Sequence, residues 1–268
     1  MRSARLVKHH RCRSICRTVA DESLLKQIRV LKSEHPFWGY RRIWAYLRFV
    51  AGAPVNKKRV YRLLRENNLL VRTETRLLAK RASNTRKPRP ERVNQWWGID
   101  MTKIMTDSGW AYVVLAVDWY SKKIVGHFCG EQSKTWHWLA VLNKAVNRQF
   151  PGGIREAEIE LNLMSDNGSQ PSSRSFMETC SGLGIKQAFT AYNNPKGNAD
   201  TERMMRTLKE ELCWLREWQS ANELKTALDR FVEDFNDGYL HSALSYKTPN
   251  AVELEYFENR RATLNLVA

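Results

Sequence analysis

Three acidic residues stand in settings from which they could act together: Asp100, Asp166 and Glu202. Asp100 follows the apolar run 96–99, and Asp166 follows a second such run that ends at Ser165. Thirty-five residues lie between Asp166 and Glu202, and Glu202 stands early in a stretch with helical character. Carboxylates delivered by two strand ends and one helix can converge, and their hard oxygens suit Mg²⁺ or Mn²⁺. Because two such ions promote in-line displacement at phosphorus, the set predicts phosphodiester chemistry.

Asp118 is the competing carboxylate, since it also follows an apolar run, at 113–117. The two strands expected around it and around Asp100 would form an antiparallel hairpin. In that hairpin Asp118 lies at the far end of its strand, away from Asp100. We therefore rank Asp118 below the other three acids.

Hydrophobic periodicity outlines the elements that must position these acids. Strands are expected at 96–104, 110–119, 122–129, 159–165 and 186–190. Helices are expected at 135–150, 173–182, 199–214 and 222–236. This order predicts an α/β domain in which a mixed five-stranded sheet is flanked by helices.

Positive charge is concentrated at the start of the chain. Of the formal net charge of +16, residues 1–90 contribute 24 Lys and Arg against 5 Asp and Glu, and the remaining residues contribute 20 against 23. An anionic partner is therefore expected for the first third, with chemistry in the rest. A solvated charged surface is the alternative interpretation.

Helical patterns in this basic third suggest a DNA-binding unit. Helices are expected at 21–33, around Ile43 and at 57–67, where Asn56 is a good N-cap. Two helices joined by the Gly-containing turn 52–54 are typical of a helix-turn-helix. The candidate DNA contacts in this unit are basic side chains: Arg41, Arg42, Lys57, Lys58, Arg59 and Arg62.

Two further cations follow Glu202 at helical spacing. Arg206 and Lys209 lie four and seven residues beyond it and would share its helix face. Beside a reacting phosphate they could hold a DNA backbone. An ordinary Glu–Arg surface pair is the alternative.

The chain divides by composition into five segments. We expect a basic tail at 1–20, a helix-turn-helix domain at 21–72, a basic Pro-bearing linker at 73–93, a catalytic domain at 94–255 and a C-terminal tail at 256–268. His9, His10, Cys12 and Cys16 fit no zinc-finger spacing well, so we interpret them as part of the tail.

Several classes of protein are disfavoured. The sequence has no run of 18 apolar residues and no apolar signal segment, so neither a membrane span nor secretion is expected. Five scattered cysteines are typical of a reducing compartment. We therefore expect a cytoplasmic protein.

Five ordered motifs carry a resemblance to a known family. The resemblance covers residues 24–252, and its motifs are Phe37–Ile43, Trp97–Thr102, Ser165–Gln170, Gly197–Glu202 followed by Thr207–Glu211, and Leu240–Pro249. Together with the interval between Asp166 and Glu202, they resemble the catalytic OrfB subunit of IS-three-family insertion-sequence transposases, relatives of retroviral integrases. Departures occur where the family often has Arg and Tyr, at Asn167 and Pro171, and at Tyr239–His241, which leaves the role of His241 open.

This resemblance implies an RNase H-like catalytic fold, preceded by the helix-turn-helix domain. It implies DNA strand cleavage and transfer with two Mg²⁺ or Mn²⁺ ions held by Asp100, Asp166 and Glu202. Double-stranded DNA, at the element ends and at the target, is the expected partner. A homo-oligomer on DNA and an OrfA-type partner or fusion are expected as well, and the resemblance implies a bacterial protein associated with the nucleoid.

Two other functions are left open by the sequence. A catalytically silent DNA-binding regulator derived from a transposase would bind DNA without cleaving it. A ribonuclease H-like nuclease would cleave RNA–DNA hybrids, although such enzymes usually carry a fourth carboxylate. The presence of all three acids, and the helix-turn-helix pattern, favour the transposase.

Overall fold

The computed structural model describes residues 21–71, 88–155, 157, 159–190 and 197–267. Contacts divide the chain into two compact units, Met1–Leu78 and Ala79–Ala268, and each is considered by itself. The expected tail at 1–20, with its His and Cys residues, lies outside the described residues. So does most of the expected linker, at 72–87.

Helices make up the described part of the first unit. Helix α1 covers residues 21–34, α2 is Tyr40–Ala45 and continues as a π-helical turn, Tyr46–Val50, and α3 is Lys57–Glu66. The Asn56 side chain accepts the Lys58 N–H at 2.9 Å, which is the N-cap that the sequence predicts. The core contains buried aliphatic residues from all three helices: Leu24, Ile28, Leu31, Ile43, Leu47, Val60, Leu63 and Leu64.

A five-stranded mixed sheet forms the centre of the second unit, as predicted. Its strands are β1 Trp96–Thr106, β2 Gly109–Asp118, β3 Ile124–Gly130, β4 Asn162–Ser165 and β5 Lys186–Phe189, in the spatial order β3-β2-β1-β4-β5. The first three strands pair antiparallel, whereas β4 pairs parallel to both β1 and β5. The central strand β1 therefore carries Asp100 into the middle of the domain.

Helices cover both faces of this sheet. Helices α4, Thr135–Gln149, and α5, Arg174–Leu183, bury one apolar cluster, which includes Trp97, Ile99 and Leu163. Helices α6, Ala199–Leu208, and α7, Ala221–Gly238, bury the other. Strand alternation sends Ile99 to the first face and Asp100 to the second, where α6 lies.

Three elements differ from the sequence prediction. Strand β4 begins at Asn162 rather than at 159, because Asn162 already pairs with Trp96, the first residue of β1. The helix expected at 199–214 is α-helical only to Leu208 and then widens into a π-helical turn, Lys209–Cys213. Helix α8, Pro249–Val267, runs through residue 255, where a domain end was expected.

Membrane insertion finds no support in these elements. None of the described helices combines the length and apolar character that a bilayer crossing demands.

Candidate active site

Asp100 lies on β1, and Asp166 directly follows β4, the parallel neighbour of β1. Trp96 pairs with Asn162 and Gly98 with Met164, so this register, continued by two residues, sets Asp100 beside Asp166. Neighbouring strands are about 4.8 Å apart, and residues in register project to the same face. Two of the three predicted acids are therefore brought together by the pairing of β1 with β4.

The Asp100 carboxylate is half-buried and is held by the backbone of the next residue. Its Oδ1 accepts the Met101 N–H at 2.8 Å. The pKa of Asp100 is raised to about 6, chiefly by burial and also by the charges of Asp166 and Glu202, against the lowering effects of the Met101 N–H and the Lys209 ammonium. Because Asp166 and Glu202 both act on Asp100, the three predicted acids occupy one electrostatic neighbourhood.

Hydrogen bonds shape the loop that carries Asp166. The Gly168 N–H donates to Asp166 Oδ1 at 3.1 Å, and the Asn167 side chain donates to the Thr190 carbonyl at 2.8 Å. The Thr190 N–H donates in turn to the Ser165 carbonyl at 3.0 Å. Asp166 is thus exposed on a loop that is tied to the end of β5.

Glu202 approaches the sheet because β1 contains a glycine. A Cβ atom added at Gly98 would lie 1.8 Å from Thr201 Oγ1 and 2.5 Å from Trp119 Nε1. Thr201, the neighbour of Glu202, is fully buried there and accepts the Trp119 indole N–H at 3.0 Å. The start of α6 therefore packs against the backbone of β1, and exposed Glu202 follows Thr201 directly.

The donor types of this site fit a hard divalent cation. Three carboxylates offer oxygen ligands, and a cation would offset both the burial of Asp100, which is the main cause of its raised pKa, and the charges of Asp166 and Glu202 that act on it. The spacing of these carboxylates, in contrast, does not form a closed set of metal ligands. Within the ranges that the structure describes, no three His, Cys, Asp or Glu side chains gather into a group that could hold a metal ion.

Asp118 occupies a different environment from the three acids. It pairs with Trp97, three positions before Asp100 on β1, and its side chain is fully buried. Its oxygens accept hydrogen bonds from the backbone of Asn94 and from the backbone and hydroxyl of Ser121, at 3.1, 2.8 and 2.6 Å. This carboxylate holds the β2–β3 turn together.

The two cations on α6 have different neighbours. Exposed Arg206 donates to Glu210 at 2.7 Å. Lys209, at the start of the π-helical turn, acts on Asp100 and lowers its pKa. Lys209 therefore lies in the neighbourhood of the acids, whereas Arg206 forms a surface pair with Glu210, one turn further along the chain, and not with Glu202.

The six candidate DNA contacts of the first unit also differ from one another. Arg59 and Arg62 both pair with Asp21, at 2.6 Å each. The Lys57 ammonium lies 4.2 Å from the centre of the Trp44 ring, and Arg42 lies over Trp38. In contrast, Lys58 and Arg41 are exposed.

Sequence reasoning missed the residues that support the acids. Gly98 and Thr201 adjoin Asp100 and Glu202, yet neither carries a reactive group. A glycine inside a strand signals close approach of another segment, and that signal was available. Asn167 and His241, where the chain departs from its family pattern, have structural contacts: Asn167 bonds Thr190, and the His241 ring packs on Phe235 and Tyr239.

Comparisons with known proteins agree with this architecture. Residues 90–195 and 183–249 match models described as integrase core domain, and residues 19–76 match an HTH-like domain. The transposase InsD for insertion element IS2A/D/F/H/I/K of Escherichia coli is 28% identical over 249 residues, covering 90% of this chain and 80% of the relative. InsD for insertion element IS2-9 of the K12 strain is equally identical, with 78% of the relative covered.

Solved structures are similar in fold. The simian T-cell lymphotropic virus intasome, determined in complex with the PP2A regulatory subunit B56 gamma, matches with a TM-score of 0.51 at 15% identity. The match covers 81% of this chain and 70% of the viral chain. At this identity the likeness concerns the fold alone.

Proposed function

Because the chain belongs to the insertion-sequence transposases with an integrase core domain, we propose that it cleaves DNA at the ends of an insertion element and transfers those ends to target DNA. In the first step a water oxygen attacks phosphorus and the bond to the 3′-oxygen breaks, which leaves a 3′-hydroxyl. In the second step that hydroxyl attacks a target phosphorus and displaces a target 3′-oxygen. One phosphodiester bond is broken in each step, and the second step makes a new one.

The convergence of Asp100, Asp166 and Glu202 carries this proposal. The register of β1 with β4 sets Asp166 beside Asp100, and Glu202 lies in the first turn of α6, the helix that packs on Gly98. The charges of Asp166 and Glu202 both act on Asp100 and raise its pKa. Carboxylates close together on one surface repel each other and lower the folding stability, so their proximity favours a catalytic role.

These three carboxylates are the residues that would hold Mg²⁺ or Mn²⁺, two ions per site. When bound, such ions activate an attacking oxygen and stabilise a leaving one at phosphorus. Asp100 is half-buried and accepts the Met101 N–H, so its carboxylate would be oriented before an ion binds. Asp166 and Glu202 have exposed side chains, which allows their oxygens to adjust to the ions.

Neighbouring residues position the acids and the DNA strand. Lys209 lies in the field of Asp100 and would contact a phosphate of the reacting strand, with Arg206 one turn earlier on α6. The hydrogen bond from the Asn167 side chain to the Thr190 carbonyl would fix the position of Asp166. The contact of Thr201 with Gly98 would do the same for Glu202.

The remaining assignments follow from the family and from charge. Residues 21–72 would bind the element ends, the basic segment 73–93 would track phosphates, and residues 94–255 would perform the chemistry. Ends must be paired for transfer, so we propose a homo-oligomer on DNA, together with an OrfA-type partner or fusion. A bacterial cytoplasmic protein bound to the nucleoid fits these partners.

One observation favours a second candidate. Since no described group of three acids closes into a metal-binding set, a catalytically silent DNA-binding regulator is the competing function. Such a protein would bind element ends and leave them intact. The two candidates predict the same DNA binding and differ only in cleavage.

A strand-cleavage and transfer assay tests the proposal. The substrate is labelled duplex carrying the element's own ends, with Mg²⁺ or Mn²⁺, and the protein is the full chain with and without its upstream partner. Wild type is compared with Glu202→Gln, Asp166→Asn and the control Glu178→Gln. Glu178 is exposed on α5, and its carboxylate accepts a hydrogen bond from Arg174, one turn earlier on the same helix, at 2.7 Å.

Metal-dependent nicking and joining by wild type and Glu178→Gln, lost in Glu202→Gln and Asp166→Asn, is the expected outcome. Full activity in Asp166→Asn would remove the assignment of the acids. Binding without cleavage in every condition would establish the regulator. Cleavage confined to RNA–DNA hybrids would identify a ribonuclease H-like nuclease instead.

A further inference from the structure

A cavity of about 960 Å³ lies in the second unit, beside the start of α6. Protein pockets that take up small organic ligands have volumes of about 300–1,000 Å³, so this cavity is large enough for one nucleotide. Four segments line it: residues 88–90 before β1, the turn after β2, the first turn of α6, and the 3-10 turn Ser242–Leu244. We call it the α6 cavity.

The start of α6 separates this cavity from the acids by a single contact. Thr201 packs on β1, and at about 100° per residue its neighbours Asp200 and Glu202 point to opposite sides of that contact. Asp200 lies 3.4 Å from the Lys122 ammonium, on the cavity side. Glu202 acts on Asp100, on the other side. A DNA strand that passes the acids would therefore also pass the α6 cavity.

Tyr120 supplies an aromatic wall that is already oriented. Its ring is half-buried and meets the Tyr256 ring of α8 edge-on, with centroids 5.8 Å apart. Trp119, the preceding residue, stacks on Trp96 at 5.6 Å and donates its indole N–H to Thr201. Aromatic rings in such pairs hold each other's orientation. Unpaired bases stack on aromatic side chains, so this wall suits the flat face of a base.

Charged groups in the cavity suit the other parts of a nucleotide. The Lys122 ammonium donates to the Trp119 carbonyl and pairs with Asp200. This pair offers both a donor and an acceptor, which are the groups that a base edge requires. Arg89 is exposed at the cavity, where its guanidinium could bind a phosphate.

We propose that the α6 cavity holds one base, flipped out of the duplex, from the DNA next to the cleaved bond. This inference rests on the proposed function, because it takes the element end as the ligand. The base would stack on Tyr120 and form hydrogen bonds with Lys122 and Asp200, and Arg89 would hold the phosphate of the same nucleotide. Unpairing a base is unfavourable, and stacking it on Tyr120 offsets that loss and keeps the strands apart at the cleaved bond.

The test is a binding titration of the full chain with its upstream partner, in EDTA, which excludes strand chemistry. Three labelled duplexes carry the element end and differ at one base pair beside the cleavage position: a matched pair, a mismatch and an abasic site. The mismatch and the abasic site both remove the pairing, but only the mismatch retains a base that can enter the cavity. Each base pair that flanks the cleavage position is changed in turn.

Two variants alter the cavity in different ways. Tyr120→Ala removes the aromatic wall, whereas Tyr120→Phe keeps the ring. Ala243→Trp fills the cavity and leaves Tyr120 in place, because Ala243 is an exposed lining residue. Arg89→Ala removes the expected phosphate contact.

Two further variants are matched controls. Tyr256→Ala breaks the same ring pair as Tyr120→Ala, but from α8. Tyr112→Ala removes another half-buried tyrosine of the same sheet, near the opposite end of β2. Thermal unfolding of each variant sets a temperature at which it is folded, and affinities are compared there.

We expect wild type to bind the mismatched end about tenfold tighter than the matched end at one position, because the unpairing has already been done. The abasic end should gain less, since it has no base to stack. Tyr120→Ala and Ala243→Trp should lose this preference, whereas Tyr120→Phe, Tyr256→Ala and Tyr112→Ala should keep it. Arg89→Ala should weaken binding of matched and mismatched ends by the same factor and reduce the salt dependence by about one ion.

A free deoxynucleoside monophosphate offers the same base and phosphate without a strand. It should not displace the mismatched end at equal concentration, because the bound strand delivers its base at a high local concentration. Displacement would make a free nucleotide the ligand and overturn the inference. The inference would also fail if wild type had no mismatch preference, if the abasic end gained as much, or if both Tyr120→Ala and Ala243→Trp kept the preference.

None of these results depends on cleavage. A chain that prefers the mismatched end through Tyr120 yet never cuts DNA would contradict the proposed chemistry and leave this inference intact. A chain that cuts its ends but has no such preference would contradict this inference alone.

Discussion

Gly98 and Thr201 are in such close contact that a single methyl group cannot fit between them. A Cβ atom at Gly98 would lie 1.8 Å from Thr201 Oγ1, a distance that side chains never reach without displacement. Gly98 is two residues from Asp100, and Thr201 is the neighbour of Glu202. The distance between two of the proposed catalytic acids is therefore set by the absence of a side chain on β1.

Gly98→Ala should reduce strand transfer by displacing the catalytic acids, although it removes no reactive group. The added methyl must push α6 from β1, which costs about 1–3 kcal/mol of folding stability. A misplacement of about 1 Å at the acids should reduce strand transfer about 100-fold. Chemical denaturation and the transfer assay measure the two effects.

Gly182→Ala is the matched control. Gly182 is exposed in α5, and a Cβ there would meet nothing within 4 Å. Replacing a helical glycine by alanine should stabilise the fold by about 0.5–1 kcal/mol and leave transfer unchanged. Equal activity in the two alanine variants would show that α6 tolerates displacement and would remove the positioning role of Gly98.

Thr201→Val tests how much the buried Thr201 hydroxyl contributes to folding stability and to strand transfer. The substitution keeps the shape of the side chain but leaves the buried Trp119 N–H, now 3.0 Å from Thr201 Oγ1, without its acceptor. We expect a loss of about 1–3 kcal/mol in unfolding free energy, with reduced transfer. Thr201→Ser keeps the oxygen and loses one methyl, about 1 kcal/mol, so its activity should stay near wild type. Indistinguishable stability of the valine and wild-type proteins would contradict this account.

The order of elements was predictable from periodicity because strands and helices in this chain bury distinct, regular faces. This regularity located all five strands of the sheet and predicted that Asn56 caps the helix that begins at Lys57. The family of the protein followed from motif order. The geometry among Asp100, Asp166 and Glu202 did not, since strand register and helix approach depend on long-range packing.

Charge pairing was the least predictable feature. In the sequence, Arg59 and Arg62 have the same basic character as Lys58 and Arg65. Asp21, 38 residues before Arg59, decides which of them face the interior of the unit. The π-helical turn after Leu208 was equally hidden, because the apolar spacing of 199–214 fits a continuous α-helix.

Asn167 offers a test of how the loop holding Asp166 is fixed. Its side chain donates to the Thr190 carbonyl at 2.8 Å on the protein surface, so Asn167→Ala should change folding stability by less than about 1 kcal/mol. Transfer activity should fall more, about tenfold, because Asp166 is the next residue. Ser169→Ala is the control, since the Ser169 hydroxyl contacts the neighbouring Gln170. Equal activity in both variants would argue that the loop needs no tie to β5.

Asp118 should make stability depend on pH in a direction opposite to that of an ordinary paired carboxylate. Burial raises its pKa to about 6, although hydrogen bonds from Ser121 and Asn94 act to lower it. A raised folded-state pKa means that the folded protein binds the proton more tightly than the unfolded chain. Its stabilising contribution is then fully present below the unfolded value of 3.8 and is lost as pH rises through about 6.

Unfolding free energies measured from pH 4 to pH 7 would isolate this effect in Asp118→Asn, whose side chain does not titrate. The variant should have a lower unfolding free energy than wild type, because both Asp118 oxygens accept hydrogen bonds and the amide NH₂ that replaces one of them cannot accept from Asn94 or Ser121. Because wild type loses stability as pH rises through the pKa of Asp118, the difference in unfolding free energy between wild type and the variant should nevertheless narrow by up to about 3 kcal/mol between pH 4 and pH 7. Asp100, whose pKa is also raised, titrates in both proteins and cancels in the difference. A gap that widens with pH would mean that the hydrogen bonds to Asp118 outweigh its burial, so that the carboxylate is stabilised as an anion.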